Sequence, residues 1–299
     1  MSFTTPLTVT GPARQPRQML ADQSIGGHAS LHDESTADTL GLSGAPIEGP
    51  THFSQVDPLA VALWGPCWFE TGCISAHFKT MVVEGEEVTA ALAGGGGGVG
   101  RVDAVKADGA PVMTGTASVD PEAQTELDAR RAALGDPGEL FIVDQLTVGQ
   151  TTSAPPAAVD MDTPNGALYP YSLGQKLDAI TEPSPWYSSD ANPWGRPILP
   201  MEMISVLAQK TGVDLPVRGP AIGLFLDLEV RLLDGPLFVG QTYLLEREVV
   251  GLGQSRRTES YWVRTTVTDA DTGDRAATVV LHSGVFKESF ADYPAERLG

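Results

Sequence analysis

Residues 44–54 read GAPIEGPTHFS, and residues 195–205 read GRPILPMEMIS. At an offset of 151, Gly44, Pro46, Ile47 and Ser54 fall on Gly195, Pro197, Ile198 and Ser205. A pattern written twice implies two copies of one structural unit. The length of 299 residues agrees, at about 150 residues per unit. The first block runs into QVDPLAVALWG, where Leu59, Val61, Ala62 and Trp64 share a helical face and Pro58 marks an early turn. The second runs into MEMISVLAQKTG, with Met203, Ile204, Val206 and Leu207 apolar and Gly212 as the stop.

Each predicted helix is followed by four strand-like segments that alternate apolar and polar residues. They are CISAHFKTMVV, EEVTAALA, GRVDAVKAD and VMTGTASVD in the first half. In the second they are AIGLFLDLEVRLL, QTYLLEREVVGLG, ESYWVRTTVTDA and RAATVVLHSGVFK. ADGAP and DADTGD read as hairpin turns. The charged stretch between the halves reads as a linker helix, and FIVDQLTVGQTTS as the first strand of the second half. This gives an N-terminal unit over 1–120, a linker over 121–140 and a C-terminal unit over 141–299. The expected class is α+β, a double hotdog: two tandem antiparallel sheets, each wrapped around a central helix. Paired edge to edge, the two copies would hide edges that a single sheet leaves open.

Composition removes several functions. With 19 Lys+Arg against 38 Asp+Glu the net charge is −19, the wrong sign for a nucleic-acid binder. No run of 18 apolar residues is present, so no membrane span is expected, and the N-terminal stretch has no apolar core of a secretory signal. The expected location is cytoplasmic. Cys67 and Cys73 are too few for a disulfide framework and read as buried, inert thiols. The run around Gly95, Gly97 and Gly100 spells GxGxxG between strand patterns with no helix after it, so it is read as a loop and not as a dinucleotide site.

The stretch HASLHDESTADTLGL…APIEGPTH resembles the MaoC-like family of hotdog acyl-CoA hydratases and dehydratases. Leu31-His32 stands for the family's Ile-His, Gly41-Leu42 for its Gly-Phe, and Pro46-Ile47-Glu48-Gly49 for the segment that opens the helix. The resemblance implies a lyase that hydrates or dehydrates an α,β-unsaturated acyl thioester, CoA being the expected carrier. His32 would be the general acid/base and the Gly49 N–H would polarise the thioester carbonyl. The family's Asp falls on Gly27 and its Asn on Ala29, so the carboxylate must come from elsewhere. Asp33 and Glu34 are the candidates to orient His32 or the water, with Asp22 behind them.

The chemistry suits these residue types. Histidine carries a proton near neutral pH, and glycine at a helix N-terminus lets a free N–H approach a developing oxyanion. His28 and His52 are placed near the same pocket. In the second half Pro200 aligns with Gly49 and Tyr187 with His32, so that half lacks both elements and would supply scaffold. Trp186, Tyr187 and Trp194 would line its part of an acyl tunnel. No HxH or HExxH spacing occurs, and neither a metal nor a cofactor is expected. His77 and His282 read as structural. Lys79, Arg101, Lys106, Arg231, Arg256 and Arg257 are the basic residues available to a phosphate-bearing carrier. Two readings stand beside the lyase: a hotdog thioesterase, and a non-catalytic hotdog that binds a small molecule other than a CoA ester. A homodimer is also open, because hotdog sheets leave a surface for a partner.

Overall fold

The computed structural model describes residues 7–94, 98–212 and 215–298, so Gly95 and Gly97 of the glycine-rich run lie outside the described residues. The first half contains β1 (Leu7–Thr10), α1 (Glu34–Thr39), α2 (Thr51–Trp64), α3 (Cys67–Thr71), β2 (Cys73–Phe78), β3 (Val88–Gly94), β4 (Val99–Lys106) and β5 (Pro111–Ser118). After α4 (Glu126–Ala132) come β6 (Thr151–Ala157), α5 (Leu173–Ala179), α6 (Met201–Gln209), β7 (Gly223–Leu232), β8 (Tyr243–Gln254), β9 (Thr258–Asp269) and β10 (Arg275–Phe286).

All ten strands form one antiparallel sheet in the order β1-β3-β4-β5-β2-β7-β10-β9-β8-β6. The order reads the same from either end once β6–β10 are matched to β1–β5, so the sequence repeat is a repeat of topology. The halves join at β2 and β7, in register from Cys73↔Arg231 to His77↔Asp227. The two tandem sheets are thus fused edge to edge, and hydrogen bonding satisfies the backbone groups that would otherwise face solvent at that seam.

Alternation places one side of each strand inward. Gly100, Val102 and Ala104 of β4 are buried, as are Tyr243, Leu245 and Val249 of β8. Against this face lie α2 and α6, and the core between them is continuous across the halves. The helix α2 buries Phe53, Val56, Leu59 and Ala60, whereas Ala62 of the expected stripe is exposed. Pro58 sits inside this helix and not in an early turn, because the helix begins at Thr51, seven residues before it.

Three local expectations are corrected. Residues 141–143 are not a strand: their N–H groups converge on the buried Glu259 carboxylate, with Ile142 N at 2.8 Å from Oε2, and the strand starts at Thr151. The linker helix is shorter than 121–140 and is fixed by a capping box between Thr125 and Asp128. It packs Leu127 against Trp262 and Val280 on the outer face of the sheet. Cys73 is buried but Cys67 is exposed at the start of α3. Among the described residues no helix is long and apolar enough to cross a membrane.

Candidate functional site

The two copies of the repeat differ in one place that matters. In the first half Pro46 bridges to Val83 and α2 begins at Thr51; in the second Ile198 bridges to Phe238 and α6 begins at Met201. From bridge to helix the first half therefore carries two additional residues, Glu48 and Gly49. Pro50 and Pro200 occupy the same position at the helix start, so the partner of Pro200 is Pro50 and not Gly49. The second half has no counterpart of the Gly49 N–H.

Gly49 lines a cavity of about 840 Å³ that reaches from the first-half loop at residues 20–32 to β9 and β10. Its N–H makes no hydrogen bond among the described residues. A Cβ at this position would stand 2.9 Å from Phe78 Cε1, so glycine is required for the backbone to lie against that ring.

His32 lines the same cavity. Its Nδ1 is 2.7 Å from the Pro46 carbonyl oxygen, and only an N–H can pair with a carbonyl, so the proton sits on Nδ1 and Nε2 carries the lone pair. Burial pushes the imidazole pKa down, and the bond to Pro46 offsets part of this. His52 is buried near the start of α2, with Nδ1 3.2 Å from Gln55 Oε1. Burial, against the raising effect of that bond, takes it down to about 4, so it is neutral at pH 7. His28 also lines the cavity, with its Nδ1 3.2 Å from the Ala221 carbonyl oxygen.

The carboxylates expected beside His32 are placed elsewhere. Asp33 caps α1, accepting from Thr36 N at 2.9 Å, and Glu34 Oε2 accepts from Ala45 N at 3.3 Å. Neither Asp33, Glu34 nor Asp22 lines the cavity. The one acidic residue lining the cavity, among the described residues, is Glu48, which the sequence reading passed over, and its carboxyl is buried toward Tyr171 and Lys176. Burial pushes it up to about 7, while Lys176 and the Tyr171 and Tyr169 hydroxyls pull it back. Tyr171 OH donates to Oε2 at 3.3 Å, and Oε1 has no partner among the described residues. Behind it Lys176 Nζ lies 2.8 Å from Glu202 Oε2 and donates to Thr51 Oγ1 at 3.1 Å; Ser54 Oγ donates to Glu202 Oε1. Both Lys176 and Glu202 are only 2% exposed, so this is a charged pair in the core that ties α5 and α6 to the first turns of α2. The signal available in the sequence was the Glu48-Gly49 pair ahead of Pro50, which has no counterpart ahead of Pro200.

Trp186, Tyr187 and Trp194 do not line the cavity. They pack edge-on around Phe69 of α3, with centroids 6.1, 6.1 and 6.3 Å away. Tyr187 OH and Met201 N, at the start of α6, both donate to Asp57 Oδ2 (3.1 and 3.2 Å), and Trp68 Nε1 donates to Oδ1. Tyr187 is buried core, and the half-buried Trp186 and Trp194 pack against that core. The second half does line the cavity, by a different route. The helix α6 has 9 residues against 14 in α2. Arg247 donates to the Ala208 carbonyl oxygen and to Thr211 Oγ1, closing the helix early, and Gly212 turns the chain away at φ 70°. The inner faces of β9 and β10 that a longer helix would cover remain open to the cavity.

His77 and His282 are structural on the described geometry: both hold Asp227, at 2.8 and 2.7 Å, beneath Arg130 of α4. Burial opposes ionisation of Asp227, but these two bonds outweigh it and hold the carboxyl at about 2. Of the basic residues, Lys79 is exposed at the cavity, whereas Arg101, Lys106 and Arg231 are paired with acids. Arg256 and Arg257 line a separate surface hollow with Lys287. Among the described residues no three His, Cys, Asp or Glu side chains gather to hold a metal.

Against solved structures, Rv0216 of Mycobacterium tuberculosis, described as a double hotdog fold, matches with a TM-score of 0.61 at 12% identity, over 95% of this chain and 96% of that one. The chain is a double hotdog. A protein from Chloroflexus aurantiacus J-10-fl, assigned as a MaoC domain dehydratase, shares the same double hotdog with a TM-score of 0.57 at 14% identity, over 95% of each chain. These likenesses establish the double-hotdog fold. No protein-family model and no curated protein matches the sequence.

Proposed function

We propose that the protein is a hydro-lyase acting on an α,β-unsaturated acyl thioester, with its chemistry in the first half. One observation carries the reading: the unbonded Gly49 N–H and the neutral His32 imidazole open onto one largely apolar cavity. With the thioester carbonyl oxygen on the Gly49 N–H, charge that develops during addition is met by a fixed donor and by the N-terminal end of α2. His32 Nε2 takes a proton from water, the oxygen adds to the β-carbon, and the proton passes to the α-carbon as the carbonyl re-forms. Dehydration is the same path reversed. Glu48, adjacent in sequence to the oxyanion donor, is the carboxyl we assign to the acid/base place that Gly27 leaves empty, and its enclosed Oε1 must turn toward the cavity to serve. His52 stays neutral and does not add positive charge next to Lys176. Lys79 faces the phosphate end of a CoA-type carrier, and the carrier is CoA on this reading.

A second reading has its own observation. A carboxyl group directly beside the oxyanion donor is also what a hotdog thioesterase needs, with Glu48 activating water at the carbonyl carbon and the thiol leaving. One experiment separates the two. Enoyl thioesters are followed by loss of enoyl absorbance, with a thiol reagent in parallel wells, for the parent protein, His32→Ala and Glu48→Gln. Hydration without free thiol, abolished in His32→Ala, supports the lyase. Thiol release abolished in Glu48→Gln supports the esterase. No turnover by a folded parent protein overturns both and leaves a binding protein.

A further inference from the structure

The part of the cavity left open by the short α6 is not a plain hydrocarbon tunnel. Its floor is a ladder of cross-strand pairs on one face of β9 and β10: Thr265 opposite Val279, Val263 opposite Leu281, and Tyr261 opposite Ser283. Its roof at the end of α6 carries Gln209. Thr265 Oγ1 and Gln209 Oε1 have no hydrogen-bond partner among the described residues, and neither is one of the fully enclosed polar atoms. The two residues are 4% and 8% exposed, and the surface they show is cavity surface. At the other end the Tyr261 and Ser283 hydroxyls hydrogen-bond each other and keep only their remaining hydrogen-bonding capacity for a ligand. Four residues of extended strand separate Thr265 from Tyr261, about 13 Å, with Val263 and Leu281 between. An apolar chamber for a saturated chain gains nothing from the unpartnered Thr265 and Gln209 oxygens, since an unpaired polar group opposite a methylene costs free energy.

We propose that the acyl group taken by this cavity is oxygenated away from the thioester, carrying hydroxyl or keto groups on an otherwise apolar body that Thr265 with Gln209, and Tyr261 with Ser283, hydrogen-bond. This names the substrate class of the proposed thioester site and rests on that reading. It is tested by binding and not by turnover, so the two fail separately.

The probes are matched pairs of long-chain fatty acids and their CoA thioesters, one member saturated and unsubstituted, the other bearing a mid-chain or terminal hydroxyl or keto group. Affinities are measured by calorimetry on the parent protein, His32→Ala, Thr265→Val and Ser283→Ala. The expected result is a preference of about tenfold for an oxygenated member per hydrogen bond made, retained in His32→Ala. Thr265→Val or Ser283→Ala, each close to isosteric, abolishes the preference by weakening only the oxygenated member. Equal binding of both members of every pair overturns the proposal, because the hydroxyls then serve only water. A preference unchanged in both hydroxyl-removing variants overturns it as well. If His32→Ala and the parent bind alike but neither turns over any thioester, the catalytic reading falls and the recognition stands.

Discussion

Replacing Gly49 by alanine puts a methyl group where the Phe78 ring already stands. The added Cβ would lie 2.9, 3.0 and 3.1 Å from Cε1, Cζ and Cδ1. Carbon atoms prefer about 3.5–4.0 Å, so the pair must separate by about 0.5–1 Å. Phe78 is stacked on the buried Phe53 at 6.4 Å, which limits how far the ring retreats. Part of the movement therefore falls on the Gly49 backbone and displaces its N–H. A misplacement of about 1 Å costs on the order of 10²-fold in rate, close to the loss of an oxyanion donor outright. Overpacking adds a stability loss of about 1–3 kcal/mol. The assay is kcat/KM for an enoyl thioester alongside a thermal melt. Gly49→Ala is expected to lose about 10²-fold. Gly49→Ala with Phe78→Leu, which removes the obstructing ring edge, recovers most of that loss. A folded Gly49→Ala protein with the parent kcat/KM would refute the assignment of this N–H as the donor.

His32→Ala is expected to lower kcat/KM by about 10²–10⁴-fold with little change in melting temperature; because burial lowers the imidazole pKa, the parent profile falls on the acid side below 6.5, and an acid limb above that value counts against a His32 base. Glu48→Gln tests linkage. A carboxyl raised from 4.5 to about 7 stabilises fully below 4.5 and loses that contribution as pH rises through 7, so the variant's stability relative to the parent climbs across that window, and a flat difference shows Glu48 is not held protonated. Lys176→Met leaves the Glu202 carboxylate buried without its cation at 2.8 Å and costs about 3–5 kcal/mol in urea unfolding; adding Glu202→Gln restores much of it, and an equal loss in both variants speaks against the pair. Trp194→Leu, outside the cavity, costs about 1–2 kcal/mol of stability while kcat/KM holds, whereas a tenfold activity loss would return this indole to the acyl tunnel.

The repeat, the alternating strands and the apolar helices were enough to read the double hotdog from the chain, because periodicity and turn residues act locally. The resemblance singled out His32, His52 and Gly49 within residues 32–52, and tertiary structure brings all three to one cavity. What local pattern does not carry is where a side chain points once the halves meet. Asp33 and Glu34, next to His32 in sequence, turn away because the start of α1 claims one and the Ala45 N–H the other. Glu48 looked like a turn residue. Burial in the folded chain pushes its carboxyl up to about 7, and Lys176, Tyr169 and Tyr171, more than 120 positions later, pull it only part of the way back. Trp186, Tyr187 and Trp194 had the composition of a tunnel wall, but Phe69 of the other half packs all three against the core and Asp57 fixes the Tyr187 hydroxyl. The chamber itself follows from α6 ending early under Arg247, a contact between β8 and the helix. Local sequence thus determined the two-fold architecture and the segment that lines the cavity. Burial, charge pairing and the length of one helix, all set by residues distant in the chain, decided which groups face the cavity.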